Sequence, residues 1–423
     1  MYAVYSLFLF LALFFYLPIY FFRIKILKSE RLHLRERLGW GLPKDKALEP
    51  SLWIHAVSVG EVLSLQNLVR ELKRKHPLWK INFSSLTSTG LRMAREKLEG
   101  VDNLFVIPLD FSWVVRKFFV AFKPSLLILA ESEFWPNLLR EARKHSQGVL
   151  LINGRISSSS FQRMRRFKFF ARRMLKNIAF FLVQTEEDKE KLEKIGISPE
   201  RVEVAGNLKT EVNLPLLTNE KIRALKKDLS ILETKKVFVA GSTRKGEEEL
   251  LLEAFREARN RSKDMLLVLA PRHPERAFEV EKISENLGFR TKRRTLAEPG
   301  EEWDVLILDT IGELAEFYAL ADSTFVGGSL VPWGGHNLLE PAFYAKPIFF
   351  GPHMGNFSFL ADKFIHSKAA QITSNKEDLI QMFLFKNEIS LREMGKRAKD
   401  ILISLQGVTE KTIKTIETLM AKT

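Results

Sequence analysis

Several short stretches of the chain hold polar and charged residues in patterns that suit group transfer better than packing. In HAVSVGEVLSL (55–65), Gly60 allows a tight turn where a strand ends, and Glu61 opens a helix. A carboxylate there has two readings: a charge that complements the helix dipole, or a general base aimed at a substrate hydroxyl. SLLILAESEFWPNLL (125–139) ends an apolar run in Glu131, Ser132 and Glu133, with Pro136 in the first turn of the next helix. Two acids after a buried strand are costly to desolvate without a partner or solvent. Helix N-terminal charge for Glu133 and a solvated loop for Glu131 stand beside a catalytic reading. VEVAGNLKTE (202–211) sets Asn207 and Lys209 in a loop, where a lysine is ordinarily solvated.

The second half of the chain carries loops of another kind. Gly241, Ser242 and Thr243 follow a strand in VFVAGSTRKGEEELLLEAF, and MLLVLAPRHPER ends in Pro271, Arg272 and His273. LDTIGELAEFYALAD places Ile311, Gly312 and Glu313 at a helix start. FVGGSLVPWGGHNLLEPAFYAKPIFFGP has two Gly-Gly pairs, then Asn337, Leu338, Leu339 and Glu340 at the opening of a helix. Glycine-rich turns and helix N-termini present backbone N–H groups to phosphate, and Arg272 can meet its charge, so these loops together point to a nucleotide site. No GxxxxGK[ST], HExxH or DxD pattern occurs. The nucleotide's charge must then be met by cationic side chains and dipoles, with no metal expected.

The elements that must position these residues are read from hydrophobic periodicity. Short apolar runs at 52–59, 80–87, 104–109, 125–130, 148–154 and 179–185 alternate with longer amphipathic segments. The alternation restarts at 236–242, 265–273, 304–310, 323–329 and 346–352. This pattern predicts an α/β protein with two doubly wound parallel-sheet domains facing across a cleft. The expected boundaries are 23–212 for the first domain, 213–233 for a linker, 234–405 for the second domain and 406–423 for a C-terminal helix. Ligands of such sheets bind at the carboxyl ends of the strands, where the residues named above fall.

With 423 residues and 46% of them hydrophobic, the chain can bury two cores, and the lack of cysteine excludes a disulfide framework and thiolate metal sites. A net charge of +15 calls for a polyanionic partner: nucleic acid, an anionic membrane or a phosphorylated substrate. Residues 3–22 carry no charge, and Arg23, Lys25, Lys28, Arg31, Arg35 and Arg37 follow. Residues 1–22 are therefore expected to form a transmembrane anchor, with the remainder on the cytoplasmic side by the positive-inside rule. In 152–174, arginines interleave with Phe161, Phe167, Phe169 and Phe170. That suits a helix lying on anionic lipid, or an ordinary helix with Phe in the core and Arg in water. No DNA- or RNA-binding motif is present, so nucleic acid is not an expected partner.

HAVSVGE, AESEFWPN, NGRISSSS, GNLK, GSTRKGEE, APRHPER, DTIGEL and GGSLVPWGGHNLLEPA together resemble the 3-deoxy-D-manno-octulosonic acid (Kdo) transferases of Gram-negative bacteria, along nearly the whole chain. The resemblance implies a GT-B fold and an inverting, metal-independent transfer of Kdo from CMP-Kdo to a lipid A precursor, lipid IVA, at the cell inner membrane. It implies Glu61 as general base and Glu131 and Lys209 as transition-state stabilisers. It also implies that CMP-Kdo lies against Gly241, Ser242, Pro271, Arg272, His273, Ile311, Gly312, Glu313 and Asn337 to Glu340. CMP is a good leaving group, so a single base suffices for the chemistry. The alternatives are a GT-B transferase using another nucleotide sugar, and a membrane-tethered lipid-binding scaffold.

Overall fold

Apolar runs of four to eight residues, rich in Leu, Ile, Val and Phe, are too short for buried helices and pair instead as strands. The computed structural model describes residues 2–27, 33–43, 50–212, 214–385 and 387–421, the side chains of 16–27 excepted. The chain divides into two compact units, one of residues 1–211 with 407–423 and the other of residues 212–406.

The first unit holds β1 (Ser51–His55), β2 (Lys80–Ser85), β3 (Asn103–Val106), β4 (Leu126–Ala130), β5 (Gly148–Gly154), β6 (Phe180–Val183) and β7 (Val202–Val204). All pair in parallel in the order β3-β2-β1-β4-β5-β6-β7. Alternate residues sort to opposite faces, as the period of two requires. Trp53, Leu127, Leu129, Val149, Leu151 and Phe181 pack into one layer, and Leu52, Ile54, Leu126, Ile128, Leu150 and Ile152 into the other. Each of these side chains is fully buried. The final helix, Val408–Met420, closes the second layer with Val408, Ile413 and Ile416.

The second unit repeats the plan with β8 (Lys236–Thr243), β9 (Met265–Pro271), β10 (Thr291–Arg293), β11 (Val305–Ile307), β12 (Ser323–Val326), β13 (Ile348–Phe350) and β14 (Ala370–Ile372). Its order is β10-β11-β9-β8-β12-β13-β14, again parallel throughout. Phe238, Leu267, Leu269, Val305 and Phe325 face one layer, and Val237, Val239, Leu266, Val268 and Leu306 the other.

Besides the short strands β7, β10 and β14, which fall in none of the apolar runs, local structure differs from the sequence expectations in four places. Strand β1 ends at His55 rather than Gly60, because Ser58 caps the helix Val59–Ser64 and turns the chain earlier. The basic segment after β5 forms two helices, Ser158–Arg166 and Lys168–Leu175, broken at Phe167. Within the stretch expected to be a linker, residues Asn219–Asp228 form a helix.

The fourth difference concerns the expected transmembrane anchor over residues 1–22. Residues Tyr2–Leu27 form one helix, but among the described residues no helix is long and apolar enough to cross a membrane. The start of this helix is instead tied to the first unit. Asn177 Nδ2 donates to Tyr2 Oη at 2.9 Å, Asn137 Nδ2 donates to Ser6 Oγ at 3.1 Å, and the Arg140 guanidinium lies 4.8 Å over the Tyr2 ring. Its other face leaves Val4, Leu7, Phe8, Phe10, Phe14 and Phe15 exposed. The side chains of Arg23 and Lys25, with Lys28 and Arg31, lie outside the described residues.

The C-terminal helix fills a layer whose strands all lie far earlier in the chain. Ile416→Ala should therefore destabilise the first unit by about 2–4 kcal/mol. Calorimetry should show the transition of that unit move down while the other stays in place.

Candidate functional site

In a doubly wound sheet the strand connections diverge at one switch point, and the loops on either side leave a crevice there. In the first unit that point lies between β1 and β4. Glu61 follows β1 and Glu131 follows β4, so the topology brings to one edge two acids that are 70 residues apart in sequence.

Glu61 sits at the third position of the helix Val59–Ser64 and is 7% exposed. Its Oε2 accepts from Val57 N at 2.8 Å; its Oε1 accepts from Ser58 Oγ at 2.8 Å and Ser58 N at 3.3 Å. Glu61 N in turn donates to Ser58 Oγ at 3.2 Å, completing a capping box. Glu131 has φ 58°, the left-handed region that a residue with a Cβ seldom occupies. Its Oε1 accepts from Lys209 Nζ at 2.9 Å. Lys209 is set by a chain of loop contacts: Asn207 Oδ1 accepts from Lys209 N at 2.9 Å, and Asn153 Oδ1 accepts from Leu208 N at 3.0 Å. Glu133 joins the group electrostatically. Burial pushes its carboxyl above the usual range, and the charges of Glu61 and Glu131 push it further. Three carboxylates and one lysine therefore share this edge.

In the second unit the switch point lies between β8 and β12. The loops that follow these strands nearly touch: a Cβ on Gly327 would lie 2.6 Å from Ser242 O and Thr243 Cα, so only glycine fits. Gly241 makes room for the Tyr318 hydroxyl in the same way, and Ser242 takes φ 56° to turn the chain. Glu247, fully buried, holds the two loops together. Its carboxylate accepts from Gly328 N at 2.6 Å, Ser329 N at 2.9 Å, Leu330 N at 2.8 Å and Arg244 N at 2.8 Å.

Around this junction the side chains are cationic. Arg272 and His273 leave the end of β9, with Arg272 N donating to Thr243 O at 2.9 Å. Arg272 also draws down Glu340, whose carboxyl burial pushes up. His336 has a buried Nε2 without a hydrogen-bond partner. Burial holds its imidazole down at about 4, and the charges of Arg244, Arg272 and His273 act in the same direction. Asn337 Oδ1 accepts from Leu339 N at 3.0 Å. Leu338 and Leu339 point into the core, so they can reach a ligand only through their backbone. Pro271 is also buried. Ile311, Gly312 and Glu313 stand at the end of β11, which pairs with β9. Ile311 is 89% exposed, and Glu313 is engaged by Thr310 Oγ1 and, at 3.6 Å, by Arg294. The residues singled out in the sequence thus gather at two strand-end sites, one in each unit. Arg244, Trp333, His336 and Glu247 were missed, although each lies within a motif already noted.

A family model described as 3-Deoxy-D-manno-octulosonic-acid transferase (kdotransferase) matches residues 32–212. A bifunctional glycosyltransferase/methyltransferase of Fusobacterium nucleatum is 36% identical over 79% of this chain, which spans only 52% of that relative's length. A 3-deoxy-D-manno-octulosonic acid transferase of Chlamydophila psittaci is 31% identical, over 82% of this chain and 80% of that protein. Among solved structures, Acinetobacter baumannii MurG aligns with a TM-score of 0.53 at 13% identity, over 87% of this chain and 100% of that one. At that identity the likeness shows the fold alone, two GT-B-like α/β units.

The state of His336 carries a pH signature. Its folded value of about 4 lies below the 6.5 of a free imidazole. The unfolded chain therefore binds the proton first, and stability is lost as pH falls from about 6.5 toward 4. In NMR titrations the His336 ring should stay neutral down to about pH 5. His336→Gln should flatten part of the acid decline in melting temperature.

Proposed function

We propose that this chain, which belongs to the 3-deoxy-D-manno-octulosonic acid transferase family, is an inverting glycosyltransferase that moves Kdo from CMP-Kdo to a lipid A precursor, lipid IVA. The observation that carries this reading is the division of charge between two switch points. Carboxylates gather at one, where a hydroxyl can lose its proton. Arginines gather at the other, where an anionic donor can be held.

Glu61 takes the acceptor hydroxyl's proton as that oxygen attacks the anomeric carbon. A carboxylate offers about four lone-pair sites. Val57 N, Ser58 N and Ser58 Oγ use three of them, which leaves a site on Oε2 for the substrate. The capping box therefore orients the base rather than consuming it. Lys209, paired with Glu131, offers its remaining ammonium hydrogens to charge that develops in the transition state. CMP leaves without a general acid, with Arg272 meeting its phosphate. Gly241, Ser242, Pro271, His273, Ile311, Gly312, Glu313 and Asn337 to Glu340 border the nucleotide. The transfer needs no metal, since arginines meet the donor's charge.

A lipid acceptor fits the surface of the first unit. Phe167 and Phe169 are 64% and 78% exposed beside Arg163, Arg165, Arg166 and Lys168, while Phe161 and Phe170 pack on the core. With the exposed apolar face of the first helix, this surface suits the anionic inner membrane, the catalytic units lying on its cytoplasmic side.

Glu61→Gln keeps the side chain's size and one oxygen to accept from Ser58, loses the acceptor for Val57 N, and cannot take a proton. Turnover should fall by about 10²-fold or more, with CMP affinity nearly unchanged. Near-normal turnover by folded Glu61→Gln would reject the base and leave Glu61 as a helix cap. Turnover measured by mass spectrometry of lipid IVA products should persist in EDTA. Loss on chelation with recovery in magnesium would reject the metal-independent reading. A donor competition in which a UDP-sugar displaces CMP-Kdo would indicate a different nucleotide sugar.

A further inference from the structure

The second unit holds more positive charge at its switch point than a single phosphodiester requires. Arg244 emerges directly from β8, with its backbone N fixed to the buried Glu247 carboxylate at 2.8 Å. Its guanidinium lies 4.9 Å over the Trp333 ring. Arginine can only donate, so its Nη1 at 2.8 Å gives a hydrogen to His273 Nε2. The other ring nitrogen, Nδ1, faces Glu275 Oε1 at 3.5 Å. These contacts place the guanidinium without neutralising it. Its Nε is buried and has no hydrogen-bond partner. Among the described residues no carboxylate lies within ion-pair distance of Arg244 or of Arg272. The neighbouring Lys245, by contrast, pairs with Glu279 at 3.4 Å, and Arg276 with Glu248 at 2.9 Å.

We infer that Arg244 and Arg272 divide the donor's two anions between them, Arg272 taking the phosphodiester and Arg244 the carboxylate of the ulosonic acid. The inference rests on the donor proposed above, a nucleotide-linked 2-keto acid sugar with one negative charge on its phosphate and one on its sugar. A planar guanidinium with free N–H groups matches a carboxylate through two parallel hydrogen bonds, a geometry that a lysine cannot reproduce. Stacking on Trp333 and the bond to His273 hold that fork in place before the donor arrives, so little side-chain freedom is lost on binding. The buried Nε2 of His336 lies in the field of the same cations. The result is selectivity: a neutral sugar on the same nucleotide would leave Arg244 desolvated and unpaired.

The test compares a ligand that carries the sugar carboxylate with one that lacks it, using the full chain in detergent. For Arg244→Gln, the KM for CMP-Kdo should rise at least about 10-fold, while the inhibition constant of CMP stays within about twofold. Arg244→Lys, which keeps the charge without the fork, should fall between wild type and Arg244→Gln in KM and leave CMP inhibition unchanged. An equal rise in both constants would assign Arg244 to the nucleotide and overturn the inference, as would an unchanged KM. Melting curves establish that each variant is folded; should Arg244→Gln fail to fold, the same split in Arg244→Lys decides the matter. If wild-type protein neither turns over CMP-Kdo nor is inhibited by CMP, the functional reading falls first and this inference with it.

Discussion

In a parallel strand covered on both faces, an unpartnered polar group is costly. The centres of β1, β4 and β5 are fully buried, and β9, β11, β12 and β13 of the second unit are nearly so. An orphaned donor or acceptor there would cost about 1–3 kcal/mol. Where polar side chains do enter, most of their atoms are matched, with His55 Nε2 and Asn153 Nδ2 as exceptions. Asn82 Nδ2 donates to Ser51 Oγ at 2.7 Å and Leu52 O at 3.1 Å, and Trp53 Nε1 donates to Ser84 Oγ at 2.8 Å. His55 Nδ1 meets Ser84 O and Oγ, and burial keeps its imidazole at about 4. Ionisable groups that must remain reactive are thereby driven to the strand ends, and the switch points are where such ends leave room for a ligand.

Two adjacent carboxylates show how differently that constraint can be met. Glu247 and Glu248 are both fully buried. Glu248 takes the usual solution, a cation: Arg276 at 2.9 Å, with Thr243 Oγ1 at 3.0 Å. Even so, desolvation outweighs the partner and its carboxyl is pushed up. Glu247 has backbone N–H groups from two loops as its hydrogen-bond donors, and so becomes the joint on which the loops after β8 and β12 are hung. The position of Arg244 and the glycine turn beside His336 both follow from that one carboxylate.

The first unit answers the same problem with crowding. The charges of Glu61 and Glu131 both bear on Glu133, and the structure holds the three by different means: a capping box for Glu61, Lys209 for Glu131, and the Trp135 indole N–H at 3.2 Å for Glu133. Burial and these two like charges together hold the Glu133 carboxyl above the usual range. The left-handed backbone at Glu131, at φ 58°, stores strain at the same spot.

Much of this could be read from the chain alone, because it is local. Short continuous apolar runs name most of the strands, glycines mark turns after several of them, and the motifs at 55–65, 125–139, 265–276 and 327–342 do fall at strand ends. What the chain alone could not supply is non-local. Lys209 meets Glu131 across 78 positions, Glu247 reaches the loop after β12 across 81 or more, and Arg244 meets His273 across 29. Those meetings depend on strand order, which is set by how both faces of each sheet are covered. For the same reason Arg244 and His336 are unremarkable loop residues in the sequence, and only the alignment of β8, β9 and β12 brings them to one edge. The first helix gave the reverse lesson: its composition matches a membrane span, whereas the hydrogen bonds to Tyr2 and Ser6 that fasten it to the first unit come from residues 131 to 175 positions away. Sequence determined most of the strands, the short β7, β10 and β14 excepted, and which loops carry ionisable groups, because burial and turn chemistry act over a few residues. Tertiary structure decided which of those groups face each other, because only packing brings distant strand ends together.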